Sequence, residues 1–326
     1  MPKLLLIGAK KNYNAEYFYF KAFNLLGYDV LHVNSYEGVA HPLLSRLAHT
    51  RVSFFNATFY LNRRFQVNKT VLELARNFDP DFIMVFKGEF ISNTTLEELS
   101  GTYNTYLFYP DMYKFKPLLK NRLRLFKAVF TAANRKEFYY KLGARRVVTV
   151  PWACDPELHR KIENRKIYDV SFVGTAYRER KKMIDNINGV SVFGDFWDSK
   201  LYFFKGYDAK KKVFPPVFGG DYIRVINQSK INLNLQAKAN IVADAPTMRT
   251  FEVAGCGGFQ LSDYLPSLAE YFPFVPTYKT VGELKELINY YLTNDAEREE
   301  IAIKSQEKCY KFYKYTDAAA KIISNL

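Results

Sequence analysis

No apolar run in this 326-residue chain approaches the ~18 residues that a membrane-spanning helix requires. The opening Met-Pro-Lys-Leu-Leu-Leu-Ile-Gly is too short in its apolar core for a signal peptide, so a cytoplasmic protein is expected. Cysteine is scarce: Cys154, Cys256 and Cys309 form no Cys-x-x-Cys pair, and one is left over if two bond. Reduced thiols and no zinc site are expected. The four histidines, at 32, 41, 49 and 159, contain no His-x-x-x-His pair of the kind that grips a metal on a helix. The first loop, Gly8-Ala-Lys-Lys-Asn-Tyr, lacks the Gly-x-Gly-x-x-Gly spacing that brings a backbone onto a pyrophosphate, which argues against a nicotinamide dehydrogenase. A Gly-x-x-x-x-Gly-Lys-Ser/Thr loop is also missing, which argues against a P-loop ATPase or kinase. Asp79-Pro-Asp81 does spell Asp-x-Asp, but the apolar run Phe82 to Phe86 follows it. The pair therefore enters a strand instead of leaving one, away from the carboxyl ends where ligands gather, and no metal site is expected there.

What is present describes a folded protein with a taste for anions. Hydrophobic residues make up 48% and charged residues 25%, and the net charge is +14. That excess attracts polyanions such as nucleotide phosphates, nucleic acid or acidic lipid, although a solvated coat of lysines gives the same number. The length suits two domains of roughly 150 residues. Lys3–Gly8, Asp29–Val33, Asp81–Phe86, Thr105–Tyr109, Val129–Ala132 and Val147–Val150 read as buried strands, with helices at Ala15–Leu26 and Val67–Phe78. A fresh alternation begins at Tyr168–Gly174 and continues through Val190–Gly194, Ile231–Leu235 and Gly258–Leu261 to helices at Val281–Leu292 and Asp295–Leu326. The class is α/β, with two doubly wound parallel sheets facing a central cleft. Expected bounds are 1–153 for the first domain, 154–308 for the second, and 309–326 for a C-terminal helix returning to the first.

The stretch from Asp244 to Asp263 carries the most chemistry. Pro246 suits a first helical turn and Gly257 a helix stop, so Asp244 is expected beside the first turns and Arg249 and Glu252, three apart, on one face near the start. A helix N-terminus offers unpaired N–H groups and a positive dipole end to a phosphate, while a neighbouring carboxylate accepts hydrogen bonds from sugar hydroxyls. An ordinary Arg–Glu surface pair explains the same residues equally well. Phe172-Val-Gly174-Thr-Ala-Tyr-Arg178-Glu-Arg180-Lys181-Lys182 reads as a strand, a glycine turn and a basic helix start, and Arg178 and Arg180 suit a diphosphate.

Taken in order, strand-Gly174-turn-Arg, Phe193-Gly-Asp-Phe-Trp197, Ser229-Lys-Ile-Asn-Leu-Asn234 and Arg249-Thr-Phe-Glu252-Val-Ala-Gly-Cys-Gly257 resemble the CgeB family of GT-B glycosyltransferases. Asp79–Gly88, Phe130-Thr-Ala and Pro151-Trp-Ala-Cys-Asp-Pro156 fall where such proteins carry similar stretches, so the likeness spans nearly the whole chain. The resemblance implies a metal-independent transferase, retaining in stereochemistry, with no cofactor beyond its nucleotide-sugar co-substrate, a UDP-sugar by expectation. Donor contacts are implied at Gly174, Arg178, Arg180, Asn234, Arg249, Glu252 and Gly257, with Glu252 on the ribose. Asp244 stands where related enzymes place a glutamate near the sugar, and Asp244 and Arg249 are the catalytic candidates.

The acceptor, a carbohydrate, lipid or protein, is expected on the first domain, where Lys87, Glu89 and Asp111 lie in or just after strands. The basic, apolar segment 114–127 places Leu119, Leu123 and Phe126 on one helical face. It suits either packing on the first domain or peripheral contact with an anionic inner membrane face. A nucleic-acid binder and a degenerate transferase fold used as a scaffold are the rival readings. Against the first, the aromatics mostly occupy strand and helix positions that a core needs.

Overall fold

A computed structural model describes residues 1–36, 54–110, 119–197 and 212–326, the stretch 54–63 as backbone only. Asp111 and residues 114–118 lie outside the described residues. By internal packing the chain divides into two units, one of 1–132, 136–150 and 319–326, the other of 133–135 and 151–318.

The first unit is built on β1 (Lys3–Gly8), whose Leu4 to Ile7 are wholly buried. Such continuous apolar runs mark strands covered on both faces, as parallel sheets are. The sheet order is β2-β1-β3-β4-β5-β6, every neighbouring pair parallel. Its other strands are β2 (Asp29–Asn34), β3 (Phe82–Phe86), β4 (Asn104–Phe108), β5 (Val129–Thr131) and β6 (Val147–Thr149). Helices α1 (Ala15–Leu25), α2 (Phe54–Phe78), α3 (Asn93–Thr102) and α4 (Glu137–Lys141) connect them. Because β2 and β3 flank β1 on opposite sides, the winding reverses between β1 and β3. Asp81 sits at the opposite, amino end, where its Oδ2 accepts the Lys3 N–H at 2.7 Å and starts β1.

The second unit repeats the plan. Strands β7 (Tyr168–Val173), β8 (Val190–Phe193), β9 (Lys212–Phe214), β10 (Ser229–Asn234), β11 (Gln260–Asp263) and β12 (Thr277–Tyr278) form a parallel sheet in the order β12-β11-β10-β7-β8-β9. Its winding reverses between β7 and β10, and in such sheets the crevice beyond the strands' carboxyl ends at the reversal is where ligands bind. Helices α5 (Arg178–Asp185), α6 (Gly219–Gln228), α7 (Lys238–Ala243), α8 (Met248–Gly255), α9 (Pro266–Tyr271), α10 (Val281–Thr293) and α11 (Asp295–Phe312) belong to it, and α12 (Tyr315–Ile323) ends the chain.

Several elements depart from the sequence reading. Helix α2 starts at Phe54, well before Val67. The last helix is two, because Tyr313 and Tyr315 spend backbone groups on Cys154: the Cys154 N–H donates to Tyr313 O at 2.8 Å and the Tyr315 N–H to Cys154 O at 3.1 Å. Residues 309–318 stay with the second unit, while 319–326 join the first, where the Tyr106 hydroxyl donates to Leu326 O at 3.1 Å. Finally, the described part of segment 114–127 forms a turn and a short 3₁₀ helix, Leu123–Leu125. Leu119, Leu123 and Phe126 are buried within the unit, so these side chains offer nothing to a membrane. Among the described residues no helix is long and apolar enough to cross one.

Candidate functional site

The carboxyl end of β7 makes the floor of the site. Gly174 and Gly194, in the loops after β7 and β8, press together so closely that a Cβ on Gly194 would lie 2.2 Å from the Gly174 carbonyl oxygen. Both hold positive φ, 155° and 153°, which suits glycine. The Trp197 indole N–H closes the contact on the same carbonyl at 2.8 Å. A Cβ on Gly174 would also stand 3.0 Å from an Arg249 guanidinium nitrogen.

Two guanidiniums gather on this floor. Their centres lie 5.3 Å (Arg180) and 5.4 Å (Arg249) from the Phe172 ring centroid, within cation–π range. Arg180 is buried and held by donation to Leu235 O and Thr175 O, each at 3.1 Å. Burial first, and the charge of Arg249 second, pull its pKa down to about 10. The buried Nε of Arg249 has no hydrogen-bond partner. A buried donor left unpaired beside a second cation is costly, and an anion between the two relieves both penalties. Arg178 is exposed at the helix start, two residues from buried Arg180, because positions two apart point to nearly opposite sides of a helix.

Helix α8 supplies the adjoining wall. No side chain caps its first turn; Thr247 instead donates its hydroxyl to Asn234 Oδ1 at 3.1 Å. Asn234 is wholly buried, and its amide nitrogen donates to Thr250 Oγ1 at 2.6 Å and Gln260 Oε1 at 3.2 Å. It fixes the start of α8 and is covered, which differs from the direct donor contact expected of it. Gly257, at φ 63°, stops α8, with the Gly258 N–H returning to Val253 O at 2.9 Å. Glu252 is 6% exposed; its Oε2 accepts the Tyr222 hydroxyl at 2.9 Å and its Oε1 stands 3.6 Å from His159 Nε2.

Asp244 departs most from expectation. It lies outside α8, as the C-cap of α7 in left-handed backbone (φ 49°, ψ 56°), a conformation aspartate tolerates better than most residues. Its Oδ1 accepts the Ser267 backbone N–H at 3.0 Å and the Ser267 hydroxyl at 2.7 Å. The carboxylate thus tethers the start of α9, and the eight-residue spacing to Glu252 does not put the two on one helix.

Residues the sequence reading passed over complete the site. Asp263, the last residue of β11, accepts the Gln236 N–H at 2.6 Å. Burial raises its pKa to about 6, against the lowering pull of that N–H and of Arg180. Gln236 gives its Oε1 to the Thr247 N–H at 3.2 Å, while its buried Nε2 has no partner; the buried Tyr278 hydroxyl has none either. The three cysteines are free and buried behind α8, where burial pushes the thiols of Cys256 and Cys309 well up. Among the described residues no group of three or more His, Cys, Asp or Glu is arranged to hold a metal ion.

In the first unit, Lys87 (φ 58°) and Glu89 follow β3 at the β1/β3 reversal, and Glu89 accepts the Tyr36 hydroxyl at 3.1 Å. A cavity of about 500 Å³ lies instead along β2 and α2, lined by Lys10, His32, Asn34, Gln66 and Thr70 among others. His32 is buried there, with no well-formed hydrogen bond at either ring nitrogen. Burial and Lys10 hold its pKa down to about 4, with the Ala9 carbonyl acting the other way.

Residues 165–324 match the glycosyl transferase-like family. The chain is 23% identical to the spore protein CgeB of Bacillus subtilis over 75% of its length and 82% of that protein. Among solved structures it is similar to sucrose-phosphate synthase from Thermosynechococcus elongatus (TM-score 0.64, 10% identity, 100% of this chain and 98% of that one). It is also similar to the T4 phage glucosyltransferase BGT in complex with UDP-glucose (TM-score 0.63, 14% identity, 99% and 98%). The chain has the GT-B fold and is similar to CgeB, and its residues 165–324, most of them in the second unit, match the glycosyl transferase-like family.

Proposed function

We propose that the chain moves a sugar from a nucleotide-sugar, a UDP-sugar foremost, to a carbohydrate, lipid or protein acceptor, without a metal ion and with retention at the anomeric carbon. The observation that carries the reading is the unpartnered, buried Nε of Arg249 beside Arg180 on Phe172 at the β7/β10 reversal. A diphosphate places its charge there, and the uncapped first turn of α8 adds N–H groups of the same polarity. Glu252, reached along α8, takes the ribose hydroxyls. The UDP-glucose held by the T4 phage enzyme of the same fold supports this class of donor.

In the reaction the bond between the anomeric carbon and the diphosphate oxygen breaks, its electron pair going to that oxygen. Arg249 and Arg180 stabilise the charge as it grows there, where electrostatic help lowers a barrier most. The acceptor hydroxyl bonds to the anomeric carbon and its proton passes to the departing phosphate, so no protein base is required. Asp244, already holding Ser267, takes no part in this account. Lys87 and Glu89 remain the acceptor-side candidates.

Thermal stability against UDP, GDP, ADP and CDP and their sugars tests the reading. A ligand at 100 times its dissociation constant adds about 2.7 kcal/mol. Stabilisation by one nucleotide in the wild type, sharply reduced in Glu252→Ala and Arg249→Ala, is expected. No stabilisation by any of them refutes it.

A further inference from the structure

Glu252 is gripped from two sides, by residues far from it in sequence. On one side the Tyr222 hydroxyl, from α6, donates to Oε2 at 2.9 Å. Burial and Glu252 itself raise that phenol well above its ordinary pKa, so it stays a donor. On the other side stands His159, only 1% exposed, with Nε2 at 3.6 Å from Oε1. The Nδ1 of His159 accepts the Asp155 backbone N–H at 2.9 Å, so the neutral ring carries its proton on Nε2, facing the carboxylate.

The ring is itself well anchored. The His159 N–H donates to Asp155 O at 2.7 Å, the Glu157 N–H to Asp155 Oδ1 at 3.0 Å, and the Tyr310 hydroxyl to His159 O at 2.9 Å. Helix α8 presses onto the same segment: a Cβ on Gly255 would lie 2.8 Å from Cys154 Cβ and 3.2 Å from His159 Cβ. The turn at 154–159 is therefore fixed against the helix that carries Glu252.

We infer that His159 and Tyr222 are positioning residues for the donor: together they fix the Glu252 carboxylate so that its remaining lone pairs meet a ribose diol without first losing side-chain freedom. This rests on the reading of Glu252 as the ribose contact. A flexible glutamate ordered only on binding loses affinity to its own immobilisation, and the grip removes that cost beforehand. Arg180 and Arg249, where the diphosphate is placed, are not the groups through which Tyr222 and His159 hold Glu252, so the effect of the grip falls on ligands that bear a ribose.

Titration calorimetry on the full chain tests this with two probes: the best-bound of UDP, GDP, ADP and CDP, and inorganic pyrophosphate. Tyr222→Phe and His159→Leu are expected to weaken the nucleotide about tenfold and leave pyrophosphate unchanged. His159→Gln, whose amide keeps an N–H toward Glu252, is expected to recover binding to within about threefold of wild type. If His159→Leu fails to fold, Tyr222→Phe, which deletes one oxygen, decides alone. Wild-type nucleotide affinity in Tyr222→Phe, or equal losses for nucleotide and pyrophosphate, overturns the inference. If at the same time Glu252→Ala loses nucleotide binding, the ribose reading survives. Nucleotide binding untouched by Glu252→Ala, or no binding of the four by the wild type, sinks both.

Discussion

At the β7/β10 reversal of the second unit, two guanidiniums rest on one phenylalanine with a buried Nε unpaired, whereas the β1/β3 reversal of the first unit presents Lys87 beside Glu89, whose carboxylate already receives Tyr36. The winding is the same in both sheets and delivers strand ends to equivalent places. The chemistry differs because the second unit concentrates cations there. The first unit's cavity holds one ammonium, Lys10, among groups suited to neutral hydroxyls: an imidazole kept uncharged, two amides and a threonine. Topology chooses where ligands gather, and a few side chains choose their charge.

The sharpest way to break that contrast is to remove a cation from each unit in turn. Arg249→Ala should weaken nucleoside diphosphate binding by roughly ten- to hundredfold, the worth of a charge-assisted contact of ~1.5–3 kcal/mol, while Lys10→Ala leaves it unchanged. Calorimetry on the two variants checks this, and equal losses would erase the distinction.

A smaller effect separates scaffold from chemistry inside the second unit. Asp244→Ala leaves the Ser267 N–H and hydroxyl unmatched and should cost about 1–3 kcal/mol in denaturant unfolding, with nucleotide affinity near wild type. Full stability with a collapsed turnover number would return Asp244 to the reaction.

The smallest effect sets His32 against Asp263 through pH. His32, held at about 4 instead of 6.5, gives stability that is complete above the higher value and lost as pH falls toward the lower. Asp263, raised from 3.8 to about 6, has the opposite sign: its folded carboxyl holds a proton more tightly, so stability drops as pH rises through that window. Melting curves from pH 4 to 7 should therefore flatten at the acid side in His32→Gln. Asp263→Asn should gain about 1 kcal/mol at pH 7, discounted for partial exposure. Changes in slope of the same sign in both variants, each against the wild type, would contradict these environments.

Much of this architecture was legible because parallel strands are buried on both faces and so read as unbroken apolar runs, as in Leu4–Ile7 and Phe82–Phe86. Strand β7, Gly174, Arg180 and Glu252 on α8 were legible for the same reason, joined to glycine punctuation. Strands β9 and β12 are too short, three and two residues, for any period to emerge. The break at Tyr313 depends on backbone pairing with Cys154, a partner far away in sequence. The Ser267 tether of Asp244 is not legible, because the short helix α7 and the start of α9, which set where Asp244 sits, leave no spacing signal in the sequence. Tyr222 and His159 reach Glu252 from 30 and 93 residues away, beyond what spacing along one helix can reveal.

The anion site at Arg249 is open to direct observation through that residue's own Nε–H resonance, assigned by its disappearance in Arg249→Lys. On titrating UDP into the labelled full chain, this signal should shift saturably, as it should with pyrophosphate and should not with free glucose. A resonance that stays in place at saturating UDP would contradict it.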